Sequence, residues 1–144
     1  MIEYNVKVWP SGDKEWFLNG KYHREDGPAL EWPNGDKEWC LNDKLHREDG
    51  PAIELTIGTK EWFLNGIRHR EGGPAVEFVN GTKEWWLNDK LHREDGPAVE
   101  FANGEKWWFL NGKQLTEQEH RQQTQSCTNK VIEIDGKKYK LVEL

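Results

Sequence analysis

Apolar and polar positions alternate along this chain in short bursts, and the bursts return at a fixed interval. In Lys83-Glu84-Trp85-Trp86-Leu87, Trp85 and Leu87 point one way and Glu84 and Trp86 the other. That period of two predicts a strand. Asn88-Asp89 follows, and the same place holds Asn19-Gly20, Asn65-Gly66 and Asn111-Gly112 in other copies. These residue types tolerate positive φ, so the spacing predicts a tight hairpin turn. Lys90-Leu91-His92-Arg93 then leads to Glu94-Asp95-Gly96-Pro97. The Asp-Gly step predicts a second reversal or a bulge. Pro97 has no N–H and suits the first residue of a strand over Ala98-Val99-Glu100-Phe101. Asn103-Gly104 closes the unit.

The unit repeats. Trp16, Trp39, Trp62, Trp85 and Trp108 fall 23 residues apart, and His23, His46, His69 and His92 keep the same interval. A fixed period of this length means stacked supersecondary units rather than a globule built around one site. Two main strands per unit, joined by short turns, predict a mainly all-β fold: an elongated antiparallel meander of about five hairpin repeats. Asn5-Val6-Lys7-Val8-Trp9 stands where later copies carry their second strand, so the array starts on a half repeat. Ten main strands at ~4.8 Å each would give a sheet roughly 48 Å long, twisted into a trough or spiral ribbon.

Strand alternation separates two faces. The tryptophan column is expected to form the core face, with Leu30, Trp32, Ile53, Leu55, Val76, Phe78, Val99 and Phe101 filling the gaps. The reverse face carries Glu15, Glu38, Glu61 and Glu84 beside Phe17, Cys40, Phe63, Trp86 and Phe109, and Trp107 breaks the acidic column. A surface both acidic and aromatic is the expected working face. Its candidate partner-binding residues are Glu15, Glu38, Glu61, Glu84, Phe17, Phe63, Trp86, Trp107 and Phe109.

The pattern falters in two places. In the third unit Ile57-Gly58, Ile67-Arg68 and Gly72-Gly73 replace the usual residues. The double glycine reads either as drift in a redundant array or as a sharper bend. After Gly112 no histidine follows. Thr116-Glu117-Gln118-Glu119 has capping-box spacing, which predicts a short polar helix shielding the open sheet edge. Val131–Ile134, Asp135-Gly136 and the lysine-rich run after them predict a final hairpin. The expected division is a repeat body over 1–112, a capping helix over 113–126 and a β-hairpin tail over 127–144, the tail serving dimerisation.

Composition narrows the classes of partner. Residues 1–112 hold 14 Lys/Arg against 21 Asp/Glu, a balance of −7, while residues 113–144 hold 6 against 5. An acidic body argues against direct nucleic-acid binding and against anionic membranes. Nine tryptophans in 144 residues place the burial on a few large rings. Cys40 and Cys127 form no framework pattern, which fits a reducing, cytoplasmic setting. No apolar run approaches the ~18 residues of a membrane span, and no signal peptide is visible.

His-Arg-Glu-Asp recurs at His23–Asp26, His46–Asp49 and His92–Asp95. Zinc needs three or four converging ligands at about 2.0–2.3 Å, and each unit supplies at most one histidine and two acids. The expected role is structural, with His, Arg and Asp bonding neighbouring turns. There is no phosphate loop, nucleophile elbow or useful Cys–His pair. No catalytic residues, cofactor or metal are expected, and an enzyme is not. Surface aromatics leave carbohydrate binding open, as well as a basic protein partner or a role as a structural scaffold.

The repeat resembles MORN-type repeats, on an aromatic strand followed by Asn-Gly-Lys and a histidine. The matching residues run from Trp16, Asn19-Gly20-Lys21 and His23 to Trp108 and Asn111-Gly112-Lys113, across about residues 5–115. It departs from them at Arg-Glu-Asp-Gly-Pro-Ala, a variant similar to repeats in small bacteriophage-encoded proteins. The resemblance implies an interaction scaffold. By analogy it also implies a phage-type inhibitor of a host defence complex, anti-CRISPR-like, whose target is a basic or nucleic-acid-binding host protein.

Overall fold

A computed structural model describes residues 3–125, together with the strand pairing of 131–140. The chain is mainly β. A 12-stranded antiparallel meander runs through the repeats, a nine-residue helix over Glu117–Gln125 follows, and Val131–Ile134 pairs with Lys137–Lys140. Within each of the first four units the first strand meets two partners on one side. Lys14-Glu15 pairs with Leu30-Glu31, while Phe17-Leu18 pairs with Lys21-Tyr22. Trp16 joins the two halves. Its N–H donates to the Ala29 carbonyl at 2.8 Å, and its own carbonyl accepts from His23 N–H at 3.1 Å. The residues between, Arg24 to Pro28, leave the sheet as a loop and return to it at Ala29.

Turn chemistry explains the short reversals. Asn19, Asn42, Asn65, Asn88 and Asn111 all sit near φ +50°, and the residue after each is also left-handed. Two consecutive positive φ values make the turn whose twist matches the flanking strands. At the other reversal, Gly12 N–H donates to the Trp9 carbonyl at φ +96°, and Trp9 N–H reaches Asp13.

The register corrects the expected division of faces. Residues directly across a ladder share a face. One unbroken row runs Glu15, Leu30, Glu38, Ile53, Glu61, Val76, Glu84, Val99, Trp107. The aliphatic residues therefore lie with the glutamates, not with Trp16 and its equivalents. The reason is the return point of the loop. The chain re-enters opposite Trp16 with Ala29, so the branched residue that follows falls on the other face. The partners of the tryptophans are Ala29, Ala52, Ala75 and Ala98, all at 0% exposure.

Repeats are joined by side chains as well as by the ladder. Nδ1 of His23, His46, His69 and His92 accepts the backbone N–H of Asn42, Asn65, Asn88 and Asn111 in the next unit, at 3.0–3.4 Å. Asp43 and Asp89 reach back to the N–H of Tyr22 and Arg68. At the opposite end Asp36, Thr59 and Thr82 accept the N–H of Thr56, Val79 and Ala102. Asp13 holds Ser11 instead, because Pro33, at the corresponding place in the next unit, has no N–H to offer.

The capping box forms as the spacing predicts. Glu119 accepts from Thr116 N–H at 2.8 Å, and Thr116 Oγ1 accepts from Glu119 N–H at 3.2 Å. The helix inserts His120, 2% exposed, whose Nε2 lies 2.6 Å from the Arg93 carbonyl and whose ring tilts against Trp108 at 4.9 Å. In the final hairpin Asp135 and Gly136 form the expected left-handed pair. Residues 126–130, Cys127 among them, lie outside the described residues.

Candidate functional site

Every sequence-predicted site residue falls on one face. Glu15, Glu38, Glu61, Glu84 and Trp107 share the row just traced, and Phe17, Phe63, Trp86 and Phe109 lie two residues along the same strands. Most of the glutamates are held from within the array. Tyr22 lies beside Glu15 with its ring tilted against Phe17 at 4.7 Å, and burial first, then that carboxylate, push its hydroxyl up from the ordinary range. Glu61 takes Arg68 at 2.8 Å, and the guanidinium lies over the rings of Phe63 and Trp86 at 5.1 and 4.9 Å. Glu84 accepts the Trp86 indole N–H at 2.8 Å.

Glu38 differs. Cys40 and Leu45 occupy the places of the phenylalanine and of the tyrosine or arginine, and neither offers a donor of comparable strength. Burial first, and the nearby Glu61 second, raise its carboxyl above the usual range. The same burial, with Glu38 and Asp43 adding to it, pushes the Cys40 thiol up to about 12. At that value the thiol is a packing group rather than a nucleophile.

Exposure on this face is uneven. Phe63 is 8% exposed and is core. Trp107 is 41% exposed, with its indole N–H on Glu105 and its ring edge-on to Phe101 at 4.8 Å. Phe78 and Trp9 are exposed as well. The accessible aromatic surface thus lies along the turn side and at the last repeat, while the middle of the predicted column is filled.

The tryptophan face carries a second set of features, which the strand pattern did not show. Arg24, Arg47, Arg70 and Arg93 stack on Trp16, Trp39, Trp62 and Trp85 at 3.9–4.3 Å. Each also bonds the carbonyl of its own proline and the glutamate that follows, as Arg47 bonds Pro51 and Glu54. Gly27, Gly50, Gly73 and Gly96 lie against these guanidiniums, and a Cβ there would meet the arginine Cζ at 2.8–3.0 Å. The glycine before each of these prolines therefore leaves room for the stacked guanidinium. The cue in the sequence was an arginine and a glycine kept three residues apart in all four copies.

No protein-family model matches this chain, and no curated protein matches it.

Successive loops stand apart and leave clefts between them. Three such clefts, of about 700, 670 and 490 Å³, lie over Trp39 with Leu41, Trp62 with Leu64, and Trp85 with Leu87. In the third unit Gly72 takes φ +74° where the others carry aspartate, so the double glycine is a local change of loop path. Arg70 keeps Pro74, Glu77 and its ring contact. Among the described residues, no group of three or more His, Cys, Asp or Glu is placed to hold a metal ion. No described helix is long and apolar enough to cross a membrane.

Proposed function

We propose that this chain is a non-catalytic protein-binding module that presents its acidic and aromatic face to a basic partner. The observation that carries the reading is a face mixing carboxylates with large apolar rings, over which no second layer packs among the described residues. The exposed part centres on Trp107 and Phe78, and Glu38 is the least compensated charge. Such a surface favours a partner that brings cations and apolar groups together. The body's balance of −7 steers basic proteins towards it.

The resemblance to small phage proteins supplies the context: an inhibitor of a host defence complex, anti-CRISPR-like, acting in the cytoplasm of a bacterial cell on a nucleic-acid-binding protein. A carbohydrate platform is less well supported, because Phe63 is buried and Arg68 lies over the Trp86 ring. The test is capture from bacterial lysate by the wild-type chain and by the double variant Glu38→Lys/Trp107→Ala, with the captured proteins identified. A basic protein retained by the wild type and lost by the folded variant is expected. Equal retention by both rejects this face. Sedimentation of the full chain tests the proposed dimer through the tail hairpin, and a monomeric mass rejects it.

A further inference from the structure

In the segment His-Arg-Glu-x-Gly-Pro-Ala, six of the seven positions are accounted for. The histidine joins the next repeat, the arginine covers the tryptophan, and position x, aspartate in three copies, holds the arginine at 2.9 Å. The glycine leaves room for the guanidinium, the proline returns the chain and presents its carbonyl, and the alanine packs under the indole. The glutamate has no such role. Glu25, Glu48, Glu71 and Glu94 are 58–90% exposed, and the nearest basic side-chain atom to each is a histidine Nε2 at 3.6–3.9 Å, beyond hydrogen-bond length. Yet the residue is glutamate in all four copies, including the third, where the aspartate is gone.

These glutamates line the three clefts, each of which lies between two successive loops and contains an indole. The first cleft brings four carboxylates against two guanidiniums, and the other two bring three against two. Each is acidic, aromatic-lined and open to solvent. Two strands per repeat at ~4.8 Å set neighbouring clefts ~9.6 Å apart. A polyproline II chain advances ~9.3 Å per three-residue turn and projects every third side chain in one direction. The mismatch accumulates to less than ~1 Å across three clefts, whereas an extended β-strand sends residues i and i+3 to opposite sides.

We propose that the three clefts form one binding track for a basic peptide in the polyproline II conformation, with a lysine or arginine at every third residue. Each cation enters between the carboxylates of adjacent loops, and the intervening prolines lie against the loops and indoles, as aromatic-lined grooves accept such chains. The track lies on the opposite face from Trp107 and Glu38 and does not depend on the function proposed above.

The test is fluorescence anisotropy of a labelled peptide of four Pro-Pro-Lys triplets, at about 150 mM salt so that diffuse attraction is screened. Saturable binding is expected. A peptide of the same composition with its lysines contiguous should bind about tenfold more weakly, because only one cleft is then filled at a time. The variant Glu25→Gln/Glu48→Gln/Glu71→Gln/Glu94→Gln should lose binding by about tenfold or more, and Glu48→Gln/Glu71→Gln, at the central cleft, by a smaller factor. Glu38→Lys/Trp107→Ala should bind unchanged. Equal affinity for the two peptides, indifference to the glutamate variants, or no saturation overturns the track. So does a response to a neutral oligosaccharide without one to the peptide, which would assign the clefts to sugars.

Discussion

Gly50→Ala separates a glycine kept for its backbone from one kept for its neighbour. Gly50 does not have positive φ, and at an ordinary φ alanine stabilises by about 0.4–1 kcal/mol through the unfolded chain. Here the new Cβ would stand 2.8 Å from Arg47 Cζ. The arginine is flexible and swings away, so the cost is what the guanidinium gives up. Its bonds to the Pro51 carbonyl at 3.2 Å and Glu54 at 2.8 Å contribute about 1 kcal/mol each at this partial exposure. The stack on Trp39 at 4.0 Å adds about 0.5–1 kcal/mol. The pair with the exposed Asp49 adds almost nothing. Against the alanine gain, the net loss is about 2 kcal/mol, read as a fall in the urea midpoint at unchanged slope. In an Arg47→Ala background the same substitution should be neutral or slightly stabilising, since nothing is left to displace. Equal losses in both backgrounds would refute the packing account. Gly73→Ala should cost less, because the approach to Arg70 is looser at 3.0 Å.

Two further outcomes follow from buried groups. His120→Ala should cost about 2–3 kcal/mol, since it empties the site against Trp108 and leaves the Arg93 carbonyl without its partner; hydrogen exchange should rise first in the last repeat, and uniform protection throughout would show that the helix is not the cap. Glu38→Gln should stabilise at pH 7 and not at pH 4. A carboxyl raised on folding opposes the folded state once ionised, so its penalty appears as pH rises through the folded value and is absent below the unfolded one; a variant equally stable at both pH values would reject the desolvation of Glu38.

The meander, both turns and the capping box were legible because each rests on local chemistry. Period-two alternation marks a strand, Asn-Gly and Asn-Asp set paired positive φ values, and Thr116 with Glu119 closes a helix start within four residues. The assignment of faces was not legible. It depends on where the excursion from Arg24 to Pro28 re-enters the sheet, and a shift of one residue there exchanges the faces. Strand alternation is blind to that choice because Ala29 and Leu30 are both apolar. The candidate residues lie together on one face. Their partners were not foreseen, since Glu61 with Arg68 and Glu84 with Trp86 arise only where the third and fourth repeats substitute the common residues.

The substitutions within the array act as controls on one another. The third repeat lacks the aspartate that holds the arginine elsewhere, yet Arg70 keeps its place over Trp62 at 3.9 Å. The aspartate is therefore an accessory, and the ring, the proline carbonyl and the following glutamate suffice to hold the stack. In the fifth repeat the whole segment is missing. There Leu115 takes the histidine's place opposite Trp108, and His120 from the helix takes the arginine's. A bare tryptophan is thus what the fold does not tolerate, and two unrelated groups answer the same need. The cleft glutamate has no counterpart after Trp108, where no further His-Arg-Glu loop follows among the described residues. A residue present only where two loops face each other belongs to what lies between them, which is the physical ground for reading the glutamate column as a binding feature rather than part of the frame.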